Sequence, residues 1–336
     1  MAEHQIKRGV SLYSYQEEAF RGSHSLDDLI GASASFGARG IEVIPEQTFD
    51  NFPNLTDAQV DQWFEMHARH GTTPVAYDMF LDSKRYKGRT LSLDECVESV
   101  TRDIQLANRL DTRIIRVIVS TPPEVMEAVA PIAQDHDVRL ALEVHAPVRY
   151  EGGWVQRHLE VIRRVDNGYL GLLPDMGTFV KRLPRVLTDR ALRDGATPEM
   201  VDYVITQYNS LRSDKQMIPV EIAWRGGNPV DLGLANAAAM YDYFHPRALL
   251  EYMPYLFHIQ AKFYDMVDDH HEYSIDYDEI IDVLTEGGYT GYLSSEYEGN
   301  RHIEDAHEVD SIEQVRRQHA MLAELLGEKQ LAGKAV

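Results

Sequence analysis

The sequence predicts an α/β protein, a (β/α)8 TIM barrel, and three observations lead there. Eight short runs rich in Val, Ile, Leu and Tyr alternate with longer amphipathic stretches. The short runs are apolar on both faces, as strands of a helix-covered parallel sheet are. The 336 residues accommodate one barrel of about 250 residues with an elaboration.

The elements follow in order. A strand at Arg8–Leu12 leads into a helix at Ser25–Phe36, with Ser25 at the N-cap position and Gly37 as the stop. Gly40–Ile44 precedes a helix at Thr56–His70, where Asp57 stands as N-cap and Gly71 as terminator. Pro74–Tyr77 precedes Ser92–Leu110, opened by Ser92 and Glu95 at capping-box spacing. Arg113–Val119 pairs with Pro123–His136, and Arg139–His145 with Trp154–Val165. After Leu170–Asp175 the rhythm breaks. Leu256–Lys262 is then followed by Asp276–Glu286, ended by Gly287, and Gly291–Glu296 by Asp310–Leu326.

The break is an insertion between strands 6 and 7, about 178–255, nearly eighty residues where roughly thirty complete a loop and helix. Loops after barrel strands lie on the catalytic face, so this segment is expected to cover the site, meet a partner, or both. Leu232, Leu234 and Met240 near its end suggest an apolar contact surface. The expected organisation is one barrel domain over 1–330, frayed after Leu326, and a tail at 331–336.

Composition narrows the function classes. A formal net charge of −21 and a pI near 5.0 oppose nucleic-acid and anionic-membrane binding. Cys96 is the single cysteine, so no internal disulfide or cysteine-based zinc site forms. It is expected on the buried face of a helix. No apolar signal-peptide core lies between Met1 and Val10, and apolar runs stay under ten residues. A cytoplasmic protein is the expectation.

The chemistry is signalled by polar residues where apolar strands end. Leu140-Ala141-Leu142 runs into Glu143 and His145, Leu172-Leu173 into Asp175, and Leu293 into Glu296. Barrel strands bury their bodies and present their last residues at the catalytic mouth. Three carboxylates there repel one another unless a cation compensates, and their hard oxygens suit Mn²⁺ or Mg²⁺. His258, Gln260 and Lys262 share one face of the seventh strand by the period of two. Tyr13, Tyr15, Glu42, Glu46, Tyr77 and Asp78 end earlier strands and are candidates for the pocket lining. His67 and His70 are expected at the surface of their helix, and the acidic run Asp265–Asp278, although cluster-like, as a solvated loop.

These residues together resemble the xylose isomerase-like barrel superfamily of sugar phosphate isomerase/epimerase type. The resemblance rests on Glu143 after its strand, Asp175 in Leu-Pro-Asp-Met-Gly, the His-Ile-Gln-Ala-Lys stretch from His258 and the final Ser-Glu. It runs from Gly9 to about Leu326 outside the insertion. The usual seventh-strand pattern is His-x-His-x-Lys-Asp, and here Gln260 stands at the metal-binding histidine. With His145 two residues after Glu143 and the long insertion, the set resembles the alpha subunits of C-glycoside deglycosidases. That resemblance implies one divalent metal, Mn²⁺ foremost with Mg²⁺, Co²⁺ or Zn²⁺ as alternatives, on Glu143, Asp175, Gln260 and Glu296. It makes His145 the general base, with Glu143 and Glu296 as further catalytic groups. His258, Lys262, Tyr13 and Tyr77 are then expected around the substrate.

It further implies a small β-sandwich beta subunit in a hetero-oligomer and a lyase reaction. A 3-oxo-C-glycoside would be split at its carbon–carbon bond into an aromatic aglycone and an unsaturated 3-keto sugar. A C-glycoside has no leaving oxygen to protonate, so the usual glycosidase carboxylate pair is no help. A metal-dependent epimerase or isomerase using Glu143 and Glu296, an inosose-type dehydratase, and a non-catalytic binding barrel are the competing readings.

Overall fold

The structure, a computed structural model, describes residues 6–241 and 243–327. Eight strands form one parallel sheet: β1 Lys7–Ser11, β2 Gly40–Val43, β3 Thr73–Met79, β4 Ile114–Val117, β5 Arg139–Val144, β6 Leu170–Pro174, β7 Ile259–Phe263 and β8 Tyr292–Tyr297. Their order is β6-β5-β4-β3-β2-β1-β8-β7, and parallel bridges Leu172–Leu256 and Asp175–Gln260 join its two ends. Each predicted strand is therefore present within a few residues of its expected bounds. The barrel side chains Val10, Ile41, Ile115, Leu140, Leu142 and Leu172 are fully buried, which is why those runs lack polar alternation.

The helices start and stop for local reasons. Ser25 accepts the Asp28 amide in a reciprocal capping box, and Ser92 does the same with Glu95. The helix Asp57–His70 is capped by Thr56, not by Asp57 as its sequence suggested, because the Thr56 hydroxyl accepts the Gln59 N–H while Gln59 returns the bond. Gly71 ends that helix at φ 65°, a left-handed conformation that costs glycine little. Cys96 is buried on the helix Leu93–Arg109, as expected.

Among the described residues between β6 and β7 are five α-helices: Arg185–Arg193, Pro198–Asn209, Ile218–Trp224, Pro229–Met240 and Leu249–Tyr252. Leu234 is buried and Leu232 packs against the core, while Met240 is 56% and Trp224 78% exposed. The outward apolar surface thus comes from Met240 and the Met217–Val220–Trp224 stripe rather than from Leu232 and Leu234. No described helix is long and apolar enough to cross a membrane. The tail 331–336 lies outside the described residues.

His67 departs from its expected surface position. It is 4% exposed, set edge-on against Trp63 and bonded through Nδ1 to the Thr72 hydroxyl at 2.8 Å. Burial pulls its pKa down to about 4. His319 is also buried, and burial together with the Arg8 guanidinium pulls it to about 3. Both take up protons more readily in the unfolded chain, so their contribution to stability is complete above about pH 6.5 and shrinks as pH falls. Each should cost about 2 kcal/mol of stability by pH 5 relative to pH 7.5. Urea unfolding at the two pH values checks this, and an unchanged pH dependence in His319→Gln would remove His319 from the account.

Candidate active site at the carboxyl ends of the strands

The period of two sorts the strand residues into layers. On β7, Gln260 and Lys262 point into the barrel, with His258 beneath them. On β3, Asp78 points inward while Tyr77 turns out to the helix Leu93–Arg109 and donates to Asp103 at 2.8 Å. Tyr77 is therefore not a pocket residue. Nor is His258. It is fully buried, with Nε2 2.7 Å from Glu42 Oε2 and 2.9 Å from Ser294 Oγ, one layer below the mouth. Glu42 is the buried partner of His258 and Gln260, Tyr15 is buried against Ser33, and Glu46 is exposed.

Above this layer a cavity of about 630 Å³ opens at the strand ends. Glu143, His145, Asp175, Lys262, Glu296 and Tyr13 line it. Gln260 lies just beneath, bridged to Asp175 across the barrel seam. Asp175 caps the turn Met176–Thr178, its Oδ1 accepting the Gly177 N–H at 2.6 Å. Space at Gly177 is tight: a Cβ would stand 3.0 Å from Asp175 Oδ1 and 3.2 Å from Lys262 Cδ, so those side chains would have to give by a few tenths of an ångström.

Sequence reading missed several wall residues. Arg116, from the centre of β4, is buried with Nε 3.3 Å from Asp78 and Nη1 3.8 Å from Glu143, and stacks on Phe80 at 4.6 Å. An arginine inside an Ile-Ile-Arg-Val run was a readable signal, because such a charge is buried only when paired. Glu298, two residues after Glu296 and so on the same side, accepts from the Tyr13 hydroxyl at 2.8 Å. Phe80, Ile118, Met240, Tyr241 and Tyr264 add an apolar and aromatic wall, for which sequence held no chemical mark.

Charge in this site is unbalanced. Glu143, Asp175, Glu296 and Glu298 face three cations: Lys262 Nζ stands 2.7 Å from Asp175, 3.6 Å from Glu296 and 3.7 Å from Glu298, Arg301 stands 3.2 Å from Glu298, and Arg116, shared with Asp78, stands 3.8 Å from Glu143. Burial works against the Lys262 charge, but those carboxylates hold its pKa well above the ordinary value. Burial pushes Glu296 far up, opposed by Lys262 and reinforced by Asp175 and Glu143. Asp78 is also pushed well up by burial and by neighbouring Glu42.

The oxygen donors bear on whether a metal suits these residues. Among the described residues no three His, Cys, Asp or Glu side chains are drawn into a metal-holding group. Yet Gln260 Oε1 is buried without a hydrogen bond, and Asp175 Oδ2 and Glu296 Oε2 are buried with the Lys262 ammonium 2.7 and 3.6 Å away. Three inward oxygen acceptors and an excess of negative charge fit a hard divalent ion. The Asp265–Asp278 loop is solvated at Asp268, His270 and His271. Glu272, buried within it, accepts the N–H groups of Tyr264, Asp265, Ser274 and Ile275.

His145 follows β5 and lines the cavity wall. Its Nδ1 lies 2.6 Å from the Ala146 carbonyl oxygen. A carbonyl only accepts, so Nδ1 carries the proton and Nε2 is the basic nitrogen.

Comparison with known proteins agrees with this architecture. The model of the "Xylose isomerase-like TIM barrel" family matches residues 30–325. A C-glycoside deglycosidase alpha subunit from Arthrobacter globiformis is 31% identical over 308 residues, covering 87% of this chain and 84% of that protein. A 3'-dehydrocarminate deglycosidase alpha subunit from Microbacterium sp. is 26% identical over 336 residues, covering 95% of each. In fold, the chain is similar to a sugar phosphate isomerase/epimerase from Parabacteroides distasonis, with TM-score 0.56 at 12% identity over 96% of this chain and 94% of that one. The chain belongs to the xylose isomerase-like TIM barrel family and, within it, to the C-glycoside deglycosidase alpha subunits, a family of enzyme subunits.

Proposed function

We propose that this chain is the catalytic alpha subunit of a lyase that splits the carbon–carbon bond of 3-oxo-C-glycosides, freeing an aromatic aglycone and leaving an unsaturated 3-keto sugar. The observation that carries this reading is His145: its Nδ1 is committed to Ala146, which leaves Nε2 as a base on the wall of a cavity with both carboxylate and aromatic linings. The relatives' names support the substrate class.

The chemistry balances without a leaving oxygen. A ketone at C3 acidifies the C2 proton. Loss of that proton and departure of the aglycone from C1 form the C1–C2 double bond, and the aromatic carbon takes up a proton. Nε2 of His145 accepts the aglycone phenol proton, which drives electron density into the ring and readies that carbon for protonation. Of the carboxylates that line the cavity, Glu143 and Glu296 are the ones assigned to take the C2 proton. A divalent ion on Glu143, Asp175, Gln260 and Glu296, Mn²⁺ foremost, would supply Lewis-acid polarisation of the sugar oxygens. Phe80, Ile118, Met240 and Tyr241 give the aglycone an apolar wall that excludes water.

The relatives' names as alpha subunits support a partner subunit, and we take that partner to be small and of β-sandwich type. The β6–β7 connection, through Met217, Val220 and Trp224, offers an exposed apolar face for it. The purified chain, with and without the product of a small neighbouring reading frame, should be given a 3-oxo-C-glycoside. Free aglycone is expected, with more from the pair, and Trp224→Asp should reduce recovery of the small subunit. Intact substrate showing only solvent exchange of a sugar C–H would point instead to an epimerase.

A further inference from the structure

Beneath the mouth, one run of hydrogen bonds has a fixed polarity. His258 Nε2 lies 2.7 Å from Glu42 Oε2, and Gln260 Nε2 donates to Glu42 Oε1 at 2.8 Å. All three residues are fully buried, so no water competes for these groups. A carboxylate accepts at both oxygens. It therefore demands a donor from each neighbour: the ring N–H of His258 at Oε2, the amide NH₂ of Gln260 at Oε1, and the carboxyl proton of Asp78, which is hydrogen-bonded to Glu42 as well. The amide of Gln260 is thereby set with its nitrogen down towards Glu42, and its Oε1 is the buried atom left without a hydrogen bond.

We infer that Glu42 is a positioning residue, which through this polarity makes Gln260 present oxygen rather than nitrogen to a divalent ion. The inference rests on the proposed role of Gln260 as a metal ligand. A neutral amide is the one ligand of the four that can turn its wrong end to a cation, because its two ends are nearly the same shape. A carboxylate at that place needs no such lock, because both its ends are oxygen. Glu42 supplies it from the second strand, across the barrel from residue 260 on the seventh. His258 extends the lock one step further, because its Nε2 also stands 2.9 Å from Ser294 Oγ on β8.

The polarity can be inverted by exchanging one atom. With the His258 proton kept on Nε2, the new amide of Glu42→Gln offers its oxygen to that N–H and turns its NH₂ to residue 260. Gln260 must then turn its own oxygen down and its NH₂ up, where it cannot bind a metal. Exchanging the pair, Glu42→Gln with Gln260→Glu, restores every bond and returns an oxygen to the mouth.

Metal-free protein should be titrated with Mn²⁺ alone, following free Mn²⁺ by electron paramagnetic resonance, with circular dichroism as the check on folding. Glu42→Gln is expected to weaken Mn²⁺ binding roughly 10- to 100-fold, as loss of a ligand-orienting partner does. The exchanged pair is expected to bind at least as tightly as the natural protein. Binding by Glu42→Gln within twofold of the natural protein overturns the inference, as does an exchanged pair that folds but stays weak. If Glu42→Gln does not fold, the exchanged pair decides by the same criterion. Gln260→Ala separates the levels: unchanged Mn²⁺ binding there removes Gln260 from the ligand set itself, whereas weakened binding with an unaffected Glu42→Gln removes only the role of Glu42.

Discussion

Asp175→Ala is expected to strip the bound divalent ion and lower aglycone release by on the order of 10³-fold or more, the scale on which preorganised charge contributes to catalysis. Asp175 is fully buried at the barrel seam, held by the Gly177 N–H at 2.6 Å and paired in register with Gln260. The turn from Met176 to Thr178 is itself built on the Asp175 carboxylate, so the substitution also removes the cap of that turn. The substitution also leaves Lys262 with only Glu296 and Glu298, each beyond 3.5 Å, so the ammonium is free to shift towards them. Glu143→Ala should lose metal and activity in the same way, from the adjacent strand β5. Elemental analysis of the purified variants checks the metal. Full occupancy in either one would refute this ligand set, whatever happened to the rate.

His145→Ala should behave differently. It removes no proposed ligand, so the metal is expected to stay, while the rate falls on the order of 10²–10⁴-fold, the usual worth of a general base. The loss should depend on the substrate. An aglycone whose phenol is acidic enough to ionise unaided has less need of Nε2 and should be hurt less. Comparing the natural protein and His145→Ala over aglycones of graded phenol acidity measures this. A flat response would take His145 out of the base role. It would favour the epimerase reading, in which Glu143 and Glu296 move a sugar proton and the aglycone never leaves.

Much of the site was legible because a barrel turns sequence position into depth. Apolar residues ran into Glu143, Asp175 and Glu296, and strand ends face the mouth, so these three and His145 and Lys262 all reach one cavity. Depth is also where the reading failed. His258 shares a strand face with Gln260 and Lys262, but each step of two residues along β7 moves a side chain nearly one layer. His258 therefore lies below the site and bonds to Glu42 and Ser294. Tyr77 and Asp78 are neighbours that face opposite ways, and a shift of one residue in strand phase exchanges their roles. The amphipathic pattern around His67 was read as exposed, because a histidine looks polar until Trp63 and Thr72 are seen beside it.

What the sequence by itself determined about this protein is its fold class, the order of its eight strands, and the acids at their ends. Those follow from local rules of apolar period, caps and glycine stops, which act within a few residues. Tertiary structure alone decided the pairings that span the barrel. These include Arg116 between Asp78 and Glu143, Lys262 among Asp175, Glu296 and Glu298, and Glu42 beneath Gln260 across 218 positions of chain. The physical reason is that a buried charge takes its state from whichever partners closure of the barrel brings within a few ångströms, and local sequence carries no record of those neighbours.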